Sequence, residues 1–246
     1  GERDVWFHAA SLGEFEQGRP IMESLKNSHP EFKILLTFFS PSGYEVRKDY
    51  QGADIICYLP MDMSWNVKRF LDIVQPDCAI FIKYEFWMNY LLELKKRQIK
   101  TYIVSAIFRE SQLFFRSYGG FYRRLLKSFS HLFVQNDESV RLLHSIGVDN
   151  VTKVGDTRFD RVADIAAKSK DLPIVQAFKS DAKVLIAGSS WPNDENILLP
   201  FFNQNLSLKL IIAPHEIDEG HLQSIISQLK RPYVRYSQAT IENVKE

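Results

Sequence analysis

The sequence predicts an α/β protein built on parallel β-sheets, and two patterns carry that prediction. Strand-like and helix-like segments alternate along the chain, and several strand-like segments are apolar nearly throughout, as in KILLTFF and CAIFI. Such strands are typical of parallel sheets with helices on both faces, so we expect a doubly wound sheet. The predicted strands of this first series are residues 5–10, 33–39, 53–59, 77–82, 101–108 and 131–135, and the predicted helices include 15–28, 65–74 and 87–97.

A second, shorter α/β series follows residues 164–183, which we interpret as a hinge or linker. Two or three strands are too few for a complete doubly wound domain. We therefore expect residues 1–175 to form an N-terminal Rossmann-like domain and residues 176–246 to form the first part of a second, truncated one. A single domain with an extension is the alternative. The predicted strands and loops of this series are 183–190, 208–216 and 232–237, with helices at 193–202 and 220–229.

Composition excludes several classes of protein. The 246 residues are 45% hydrophobic and 25% charged, with a net charge of +1, so no overall field favours nucleic acid. Cys57 and Cys78 lie in apolar strand-like runs, which predicts buried reduced thiols rather than a disulfide framework. No run approaches the roughly 18 apolar residues of a membrane span, and no signal peptide is recognisable.

Polar loops follow the predicted strands, at the edge of a parallel sheet where ligands bind. SLGE (residues 11–14) follows the first strand, SPSGY (40–44) the second and KYEFW (83–87) the fourth. Small residues, amide groups and isolated charges suit a site for a polar ligand. The same position after later strands holds Arg109, QND (135–137), GSSW (188–191) and PHE (214–216).

The first two loops each end a strand and begin a helix. Ser11, and Ser40 or Ser42, are candidate N-caps, and Gly13 and Gly43 allow close backbone approach. Helix N-termini bind anions through their free N–H groups. Neither loop matches the dinucleotide or P-loop patterns, so these readings are disfavoured. Simple helix capping is the alternative to ligand binding.

Two carboxylates, Glu14 and Glu85, follow strands of the first sheet. Two carboxylates that converge on one site can divide acid, base and binding roles. The alternatives are a helix-dipole role for Glu14 and solvated surface charges for both. The six histidines show no metal-ligand spacing, His215 and His221 being the nearest pair, so we expect no metal.

Residues 108–127, FRESQLFFRSYGGFYRRLLK, carry five basic residues, one acidic residue and six aromatics. One interpretation is an amphipathic helix with aromatics in the core and solvated arginines. The other is a basic-aromatic face that binds an anionic lipid surface or a phosphorylated lipid. The pair Gly119-Gly120 should break or bend a helix here.

In their order and spacing, these motifs resemble those of the 3-deoxy-D-manno-octulosonic acid (Kdo) transferases of lipopolysaccharide synthesis. The resemblance runs through FHAASLGE, SPSGY, KYEFWMN, QND, GDTRFD, AGSSW and APHE. It implies a GT-B glycosyltransferase with two Rossmann-like domains that moves Kdo from CMP-Kdo to a hydroxyl of a lipid A precursor, with inversion at the anomeric carbon. The Glu of the family's S-x-G-E motif acts as general base, which here is Glu14. The family usually has Pro after the Trp of the Glu85 motif, whereas this chain has Met88.

The resemblance also implies partners and a location. No metal or other cofactor is expected, and the expected partners are CMP-Kdo, a lipid A precursor and an anionic membrane surface, with no nucleic acid. The expected location is the cytoplasmic face of the bacterial inner membrane, with an N-terminal anchor ahead of this sequence. With Glu14 as the catalytic residue, the predicted acceptor-side residues are Ser11, Gly13, Ser40, Ser42, Gly43, Glu85, Arg109, Arg116, Arg123 and Arg124, and the predicted donor-side residues are Asn136, Arg158, Ser189, Ser190, Trp191, His215 and Glu216.

Two other functions stay open at this point. One is another GT-B nucleotide-sugar enzyme, a transferase or an epimerase with a diphosphate donor. The other is a lipid-binding fragment without turnover. The response of the protein to CMP and UDP, and an assay of transfer to a lipid A precursor, distinguish these functions.

Overall fold

The computed structural model describes residues 3–167 and 171–245. The chain forms two compact units, Gly1–Lys168 and Ser169–Glu246. The predicted α/β class is confirmed in both, because helices alternate with parallel strands in each.

The first unit contains a sheet of seven parallel strands. The strands are β1 (Arg3–Ala9), β2 (Phe32–Phe38), β3 (Ile55–Tyr58), β4 (Cys78–Ile82), β5 (Lys100–Ala106), β6 (His131–Val134) and β7 (Val151–Lys153). Their spatial order is β3-β2-β1-β4-β5-β6-β7. This order reverses between β1 and β4, which is the place where open parallel sheets bind ligands. All six strands predicted for this series are present, and β7 is an addition of three residues.

Helices cover both faces of this sheet and bury an apolar core on each. Trp6 and Phe7 are neighbours in β1, so their side chains point to opposite faces. Trp6 packs in a core with Phe81, and Phe7 packs in a second core with Phe15 and Phe38. The helices are α1 (Leu12–Ser28), α2 (Pro41–Arg47), α3 (Ser64–Val74), α4 (Met88–Lys96), α5 (Gly120–Leu126), α6 (Asp137–His144) and α7 (Thr157–Ala167).

The second unit is built on one parallel pair of strands. Its elements are α8 (Pro173–Lys179), β8 (Lys183–Ser190), α9 (Pro192–Gln204), β9 (Leu208–Pro214) and α10 (Glu219–Gln228). β8 pairs with β9 from Lys183 opposite Leu208 to Ser190 opposite Pro214. Two of the three predicted strands and both predicted helices of this series are therefore present.

Three expectations need correction. Residues 232–237 were predicted as a strand, but they are irregular and lead into a 3₁₀ turn at Tyr236–Gln238. Tyr233 and Tyr236 there are exposed, so this segment lacks the buried side-chain face that is typical of a strand in a covered sheet. The stretch 164–183, which was predicted as a linker, contains all of α8. The predicted domain boundary after residue 175 lies inside that helix. Residues 168–170 of the stretch are outside the described part of the chain.

Two further sequence expectations bear on burial and on membranes. Cys57 and Cys78 were expected to be buried, but both are only partly buried. Burial nevertheless raises the pKa of the Cys57 thiol. Among the residues that the structure describes, no helix has the length and apolar character of a membrane-spanning helix.

Candidate active site

Glu14 lies in the first turn of α1, directly after the central strand β1. Phe15, the next residue, is fully buried. One turn on, Gly18 lets α1 approach β4 closely, since a Cβ at this position would lie 2.7 Å from Cδ1 of Ile82. Because these contacts fix α1 against the sheet, the half-buried Glu14 is held at the carboxyl end of β1.

Ser11 occupies the N-cap position of α1 but does not cap the helix. Its backbone is extended, and its hydroxyl donates a hydrogen bond to Oε2 of Glu14 instead of accepting one from a helix N–H. The predicted capping role is therefore wrong for Ser11. Since the described residues give Oε1 of Glu14 no hydrogen-bond partner, the carboxylate is oriented through one oxygen and open at the other. Such a group is suited to accept a proton from a ligand.

The loop after β2 packs against the loop after β1. The N–H of Ser40 donates to the Ala10 carbonyl at 2.8 Å, and a Cβ on Gly43 would lie 3.1 Å from the carbonyl carbon of Ser11. Ser40 caps α2, because its Oγ accepts from the Ser42 N–H at 3.2 Å, and the two hydroxyls are 2.8 Å apart. The predicted cap at Ser40 and the close approach at Gly43 are both confirmed.

Glu85 lies in the loop after β4, beside β1 at the reversal of strand order. Its side chain is only 13% exposed, and Nε2 of His8 lies 3.3 Å from its Oε2. Nε1 of Trp87 donates to the same oxygen at 2.5 Å. The Trp87 ring also packs against Phe39 and His8, with ring centroids 4.8 and 5.6 Å apart. Groups from β1, from the end of β2 and from its own loop therefore position Glu85.

A chain of hydrogen bonds joins the start of α7 to α1. Thr157 Oγ1 donates to the Gln17 carbonyl at 2.7 Å and accepts from Ser105 at 3.0 Å. Gln17 is buried, and its Nε2 donates to Asp156 at 3.3 Å. Arg158, a predicted donor-side residue, is exposed and paired with Asp156. Hydrogen bonds from Arg158 lower the pKa of Asp156 to about 2.

Asn136, another predicted donor-side residue, lies at the start of α6. Its Oδ1 accepts from the Ser139 N–H at 2.8 Å, so it caps the helix. The neighbouring Gln135 donates from Nε2 to the Ser105 carbonyl at 2.8 Å. The structure thus gives Asn136 a structural role, and its part in donor binding stays a prediction.

The segment 108–127 does not form one helix. A 3₁₀ turn at Leu113–Phe115 is followed by a break, and α5 begins at Gly120. A Cβ on Gly119 would collide with the carbonyl oxygen of Leu113. The predicted interruption at the glycine pair is confirmed.

The side chains of this segment divide between core and surface. Phe108 and Phe114 are buried. Arg123 is half-buried and donates from Nη2 to the carbonyls of Arg116 and Ser117 at 2.7 and 3.1 Å, so it stabilises the turn before α5. Leu125 and Leu126 are buried as well. We define the basic-aromatic surface as the exposed basic and large apolar side chains of the segment, which are Arg109, Leu113, Arg116, Tyr118, Phe121, Tyr122, Arg124 and Lys127; the exposed Glu110 follows Arg109 in the sequence.

The second unit brings three of its predicted residues together at the carboxyl ends of β8 and β9. Ser189 has a left-handed backbone, with φ of 58°, and its Oγ lies 2.7 Å from Nδ1 of His215. The Trp191 ring stacks on the His215 imidazole, with centroids 4.3 Å apart. Because Trp191 is partly exposed, this stacked pair presents a flat face and polar edges to a ligand.

Behind this pair, Ser190 belongs to a buried polar network. Its Oγ donates to Oε1 of Glu195 at 2.9 Å, and Nε2 of His221 lies 2.7 Å from Oε2 of Glu195. The hydrogen bond with Glu195 raises the pKa of His221. Sequence reasoning missed Glu195 and weighed His221 only as a metal ligand. Glu216, which it did predict, has an exposed side chain and contributes its carbonyl to Nδ1 of His221 at 2.9 Å.

The side chains of Glu216, Asp218 and His221 lie close enough together to hold a metal ion. However, the ring nitrogens of His221 already contact Glu195 and the Glu216 carbonyl. Asp218 caps α10 through the His221 N–H. A metal bound to a ring nitrogen of His221 would have to displace one of these two ring contacts, so we interpret the cluster as part of the polar network.

Comparison with known sequences gives a consistent result. The model of the 3-Deoxy-D-manno-octulosonic-acid transferase (kdotransferase) family matches residues 1–161. A 3-deoxy-D-manno-octulosonic acid transferase of Aquifex aeolicus is 29% identical over 223 residues, which are 89% of this chain and 56% of that protein. One from Rickettsia bellii is 28% identical, over 84% of this chain and 49% of that protein. This chain therefore spans about half the length of the curated relatives that it matches.

Solved structures with a similar fold are more distant in sequence. The UDP-GlcNAc 2-epimerase of Methanocaldococcus jannaschii aligns with a TM-score of 0.61 at 13% identity, covering 100% of this chain and 76% of that one. MurG of Acinetobacter baumannii aligns with a TM-score of 0.56 at 10% identity, covering 92% and 62%. At these identities the similarity shows the fold alone, and it agrees with the predicted GT-B class.

Proposed function

Because this chain belongs to the 3-deoxy-D-manno-octulosonic acid transferase family, we propose that it carries acceptor-binding and donor-binding parts of a glycosyltransferase that moves Kdo from CMP-Kdo to a hydroxyl of a lipid A precursor. The observation that carries the proposal is Glu14, oriented by the Ser11 hydroxyl at the point where the strand order reverses. A carboxylate at that point meets the requirement for a general base, which must lie next to a bound polar ligand.

The proposed step is an inverting substitution at the anomeric carbon of Kdo. Glu14 accepts the proton of the acceptor hydroxyl while the hydroxyl oxygen forms a bond to that carbon. The bond from the carbon to the phosphate oxygen of CMP breaks, and CMP leaves with the electron pair. The leaving group is a nucleoside monophosphate, so no diphosphate needs a chelating metal, and we propose a transfer step without one.

The donor is proposed to bind the second unit at Ser189, Trp191 and His215. The stacked ring pair suits the flat cytosine base, and the Ser189 hydroxyl and the His215 imidazole suit polar atoms of the donor. The first turn of α9 contains Asp194 and Glu195, and the Asp194 carboxylate accepts from the Trp191 N–H. These acids already complement that helix N-terminus, so we assign the donor phosphate to side chains and not to the N–H groups of α9.

The acceptor lipid is proposed to bind the first unit. Glu85 and the segment that bears Ser40 and Ser42 lie beside the strand-order reversal, where we propose that a sugar hydroxyl reaches Glu14. The basic-aromatic surface supplies arginines for lipid phosphates and aromatic rings for an interface with a membrane. We propose that the protein works at the cytoplasmic face of the bacterial inner membrane.

The direct test is a transfer assay with CMP-Kdo and a lipid A precursor, with product detected by mass spectrometry. The proposal expects Kdo-modified lipid and free CMP in equal amounts. Thermal shifts with CMP and with UDP distinguish the alternative of a diphosphate-sugar enzyme. Stabilisation by CMP alone supports the proposal, whereas stabilisation by UDP alone, without Kdo transfer, would contradict it.

A further inference from the structure

His8 is a buried polar residue within the FHAASLGE motif, and the motif by itself assigns it no role. It lies in β1 between Phe7 and Ala9, and its ring is fully buried. Its Nδ1 lies 2.9 Å from Oγ1 of Thr37. Its Nε2 lies 3.3 Å from Oε2 of Glu85 and has no well-aligned hydrogen bond. A fully buried nitrogen thus faces a carboxylate of the candidate active site.

The neighbours of Thr37 determine where the His8 proton lies. Nε1 of Trp6 can only donate, and it donates to Thr37 Oγ1 at 2.8 Å. The single hydroxyl proton of Thr37 then goes either to His8 Nδ1 at 2.9 Å or to the Phe7 carbonyl at 3.3 Å. The shorter contact makes Nδ1 an acceptor, and a neutral imidazole then carries its proton on Nε2. The opposite tautomer would direct a bare lone pair at the Glu85 carboxylate.

The contacts of Glu85 are also one-sided. Trp87 Nε1 donates to Oε2, and His8 Nε2 faces the same oxygen. Oε1 has no hydrogen-bond partner within the described part of the chain. The Trp87 N–H therefore fixes one oxygen, beside which His8 Nε2 lies at 3.3 Å, and the other oxygen is left for a ligand.

We propose that His8 is a positioning residue for Glu85. Its Nε2–H, together with the Trp87 N–H, fixes Oε2 so that Oε1 accepts a hydrogen bond from a hydroxyl of a bound sugar. The identity of that sugar rests on the proposed function, whereas the position of the His8 proton does not. His8 acts through Glu85 and does not contact the ligand itself.

The first test measures the proton directly. Long-range ¹H–¹⁵N spectra of the histidine rings of the 246-residue chain report which ring nitrogen is protonated, and loss of a signal in His8→Asn assigns it. We expect a protonated Nε2 at neutral pH. An unprotonated Nε2 overturns the proposal, whatever the protein catalyses.

The second test uses two substitutions that differ in the atom retained. The amide nitrogen of Gln can reach the place of Nε2, whereas the shorter Asn can replace only Nδ1. In an active form of the protein, His8→Asn should lower transfer about 10- to 100-fold, the effect of losing a hydrogen bond to a charged group, and His8→Gln should restore most of it. The two variants should have similar melting temperatures. Equal activity in both overturns the positioning role.

The two tests separate this inference from the proposed function. A wild-type protein that shows the Nε2 proton but transfers no Kdo contradicts the proposed function and supports the position of His8. A wild-type protein that transfers Kdo but has an unprotonated Nε2 on His8 contradicts the positioning role of His8 and supports the proposed function.

Discussion

Buried partners fix the polar side chains of both candidate sites. Glu85 accepts a hydrogen bond from Trp87 and lies 3.3 Å from His8 Nε2 in the first unit, and Glu195 contacts Ser190 and His221 in the second. Removing one partner leaves the other buried and unsatisfied, which costs about 1–3 kcal/mol and more for a charged group. Each network therefore contributes to stability as well as to the geometry of a site.

The pKa of His221 gives a prediction for the second unit. Its hydrogen bond with Glu195 raises the pKa above the ordinary value of about 6.5. The protonated form is thus favoured in the folded state, and it stabilises the unit fully at pH values below 6.5. That stabilisation is lost as the pH rises through the folded-state pKa. An NMR titration should give a raised pKa for His221, and Glu195→Gln should lower it.

Glu216→Gln is the comparison, because it keeps the backbone carbonyl that contacts His221 and removes a carboxylate that lies within 4.8 Å of the His221 ring without a hydrogen bond to it. This variant should lower the His221 pKa less than Glu195→Gln does. If both variants shifted the pKa equally, the assignment to Glu195 would be wrong.

The roles of single residues could be predicted where a local sequence motif indicates them. They could not be predicted where the role depends on packing between distant parts of the chain. Ser40 as a cap and Gly43 at a close approach follow from strand-to-helix loops, and both are observed. Glu14 came from the same kind of loop, and its catalytic role stays a prediction. His8 and Glu195 act through partners 77 and 26 residues away, Glu85 and His221, and local patterns do not reveal such pairs.

At the level of elements, the two loops beside Glu14 depend on a small residue at position 43. An Ala side chain there would press on the Ser11 backbone and the Phe38 ring. Overpacking of this kind typically costs 1–3 kcal/mol, so Gly43→Ala should lower the free energy of unfolding by about that amount. Chemical denaturation followed by circular dichroism measures it.

Gly13→Ala provides the comparison, because its Cβ would meet only Ser11 Oγ at an ordinary 3.8 Å. Gly13 lies inside α1, where Ala is favoured over Gly by up to about 1 kcal/mol. We expect unchanged or higher stability. Equal destabilisation by both substitutions would show that the close approach is not the cause.

The basic-aromatic surface is the element that we expect to bind membranes. Arg116 and Arg124 are exposed, and cationic side chains contribute about 1 kcal/mol each near an anionic bilayer. The double variant Arg116→Ser/Arg124→Ser should sediment less with anionic vesicles at low salt. Arg123 is left unchanged in this variant because it stabilises the turn before α5.

A control with the same change in charge is Lys48→Ser/Arg141→Ser. The exposed side chain of Lys48 lies at the end of α2, and that of Arg141 lies on α6. This control should retain vesicle binding. Similar losses in both double variants would mean that net charge, and not this surface, determines binding. If neither double variant loses vesicle binding, the arginines are solvated surface residues, as in an ordinary amphipathic segment.

The pattern of elements was predictable because apolar strands alternate with helices in the first 135 residues. β7 escaped prediction because three residues with one partly buried side chain give no periodic signal. Residues 232–237 were wrongly predicted as a strand, because Tyr233, Val234 and Tyr236 have high β-propensity but their side chains are exposed here. For both segments the prediction failed because the sequence does not state directly which side chains are buried.

At the scale of the whole molecule, the two units contribute different chemistry. The first holds two carboxylates at the ends of adjacent strands β1 and β4, and the second holds a stacked aromatic pair beside hydroxyl groups. The family assignment covers residues 1–161, and the curated relatives extend over the second unit as well. The central claim is that Glu14 is the general base.

Glu14→Gln is the most direct test of that claim, measured as Kdo transfer from CMP-Kdo to a lipid A precursor in an active form of the protein. Gln keeps the size of the side chain and a partner for Ser11 but cannot accept the proton. We predict a rate at least 10²-fold lower at unchanged melting temperature, whereas Glu23→Gln, on the same helix, should retain normal transfer. Near-normal transfer by a folded Glu14→Gln protein would contradict the account.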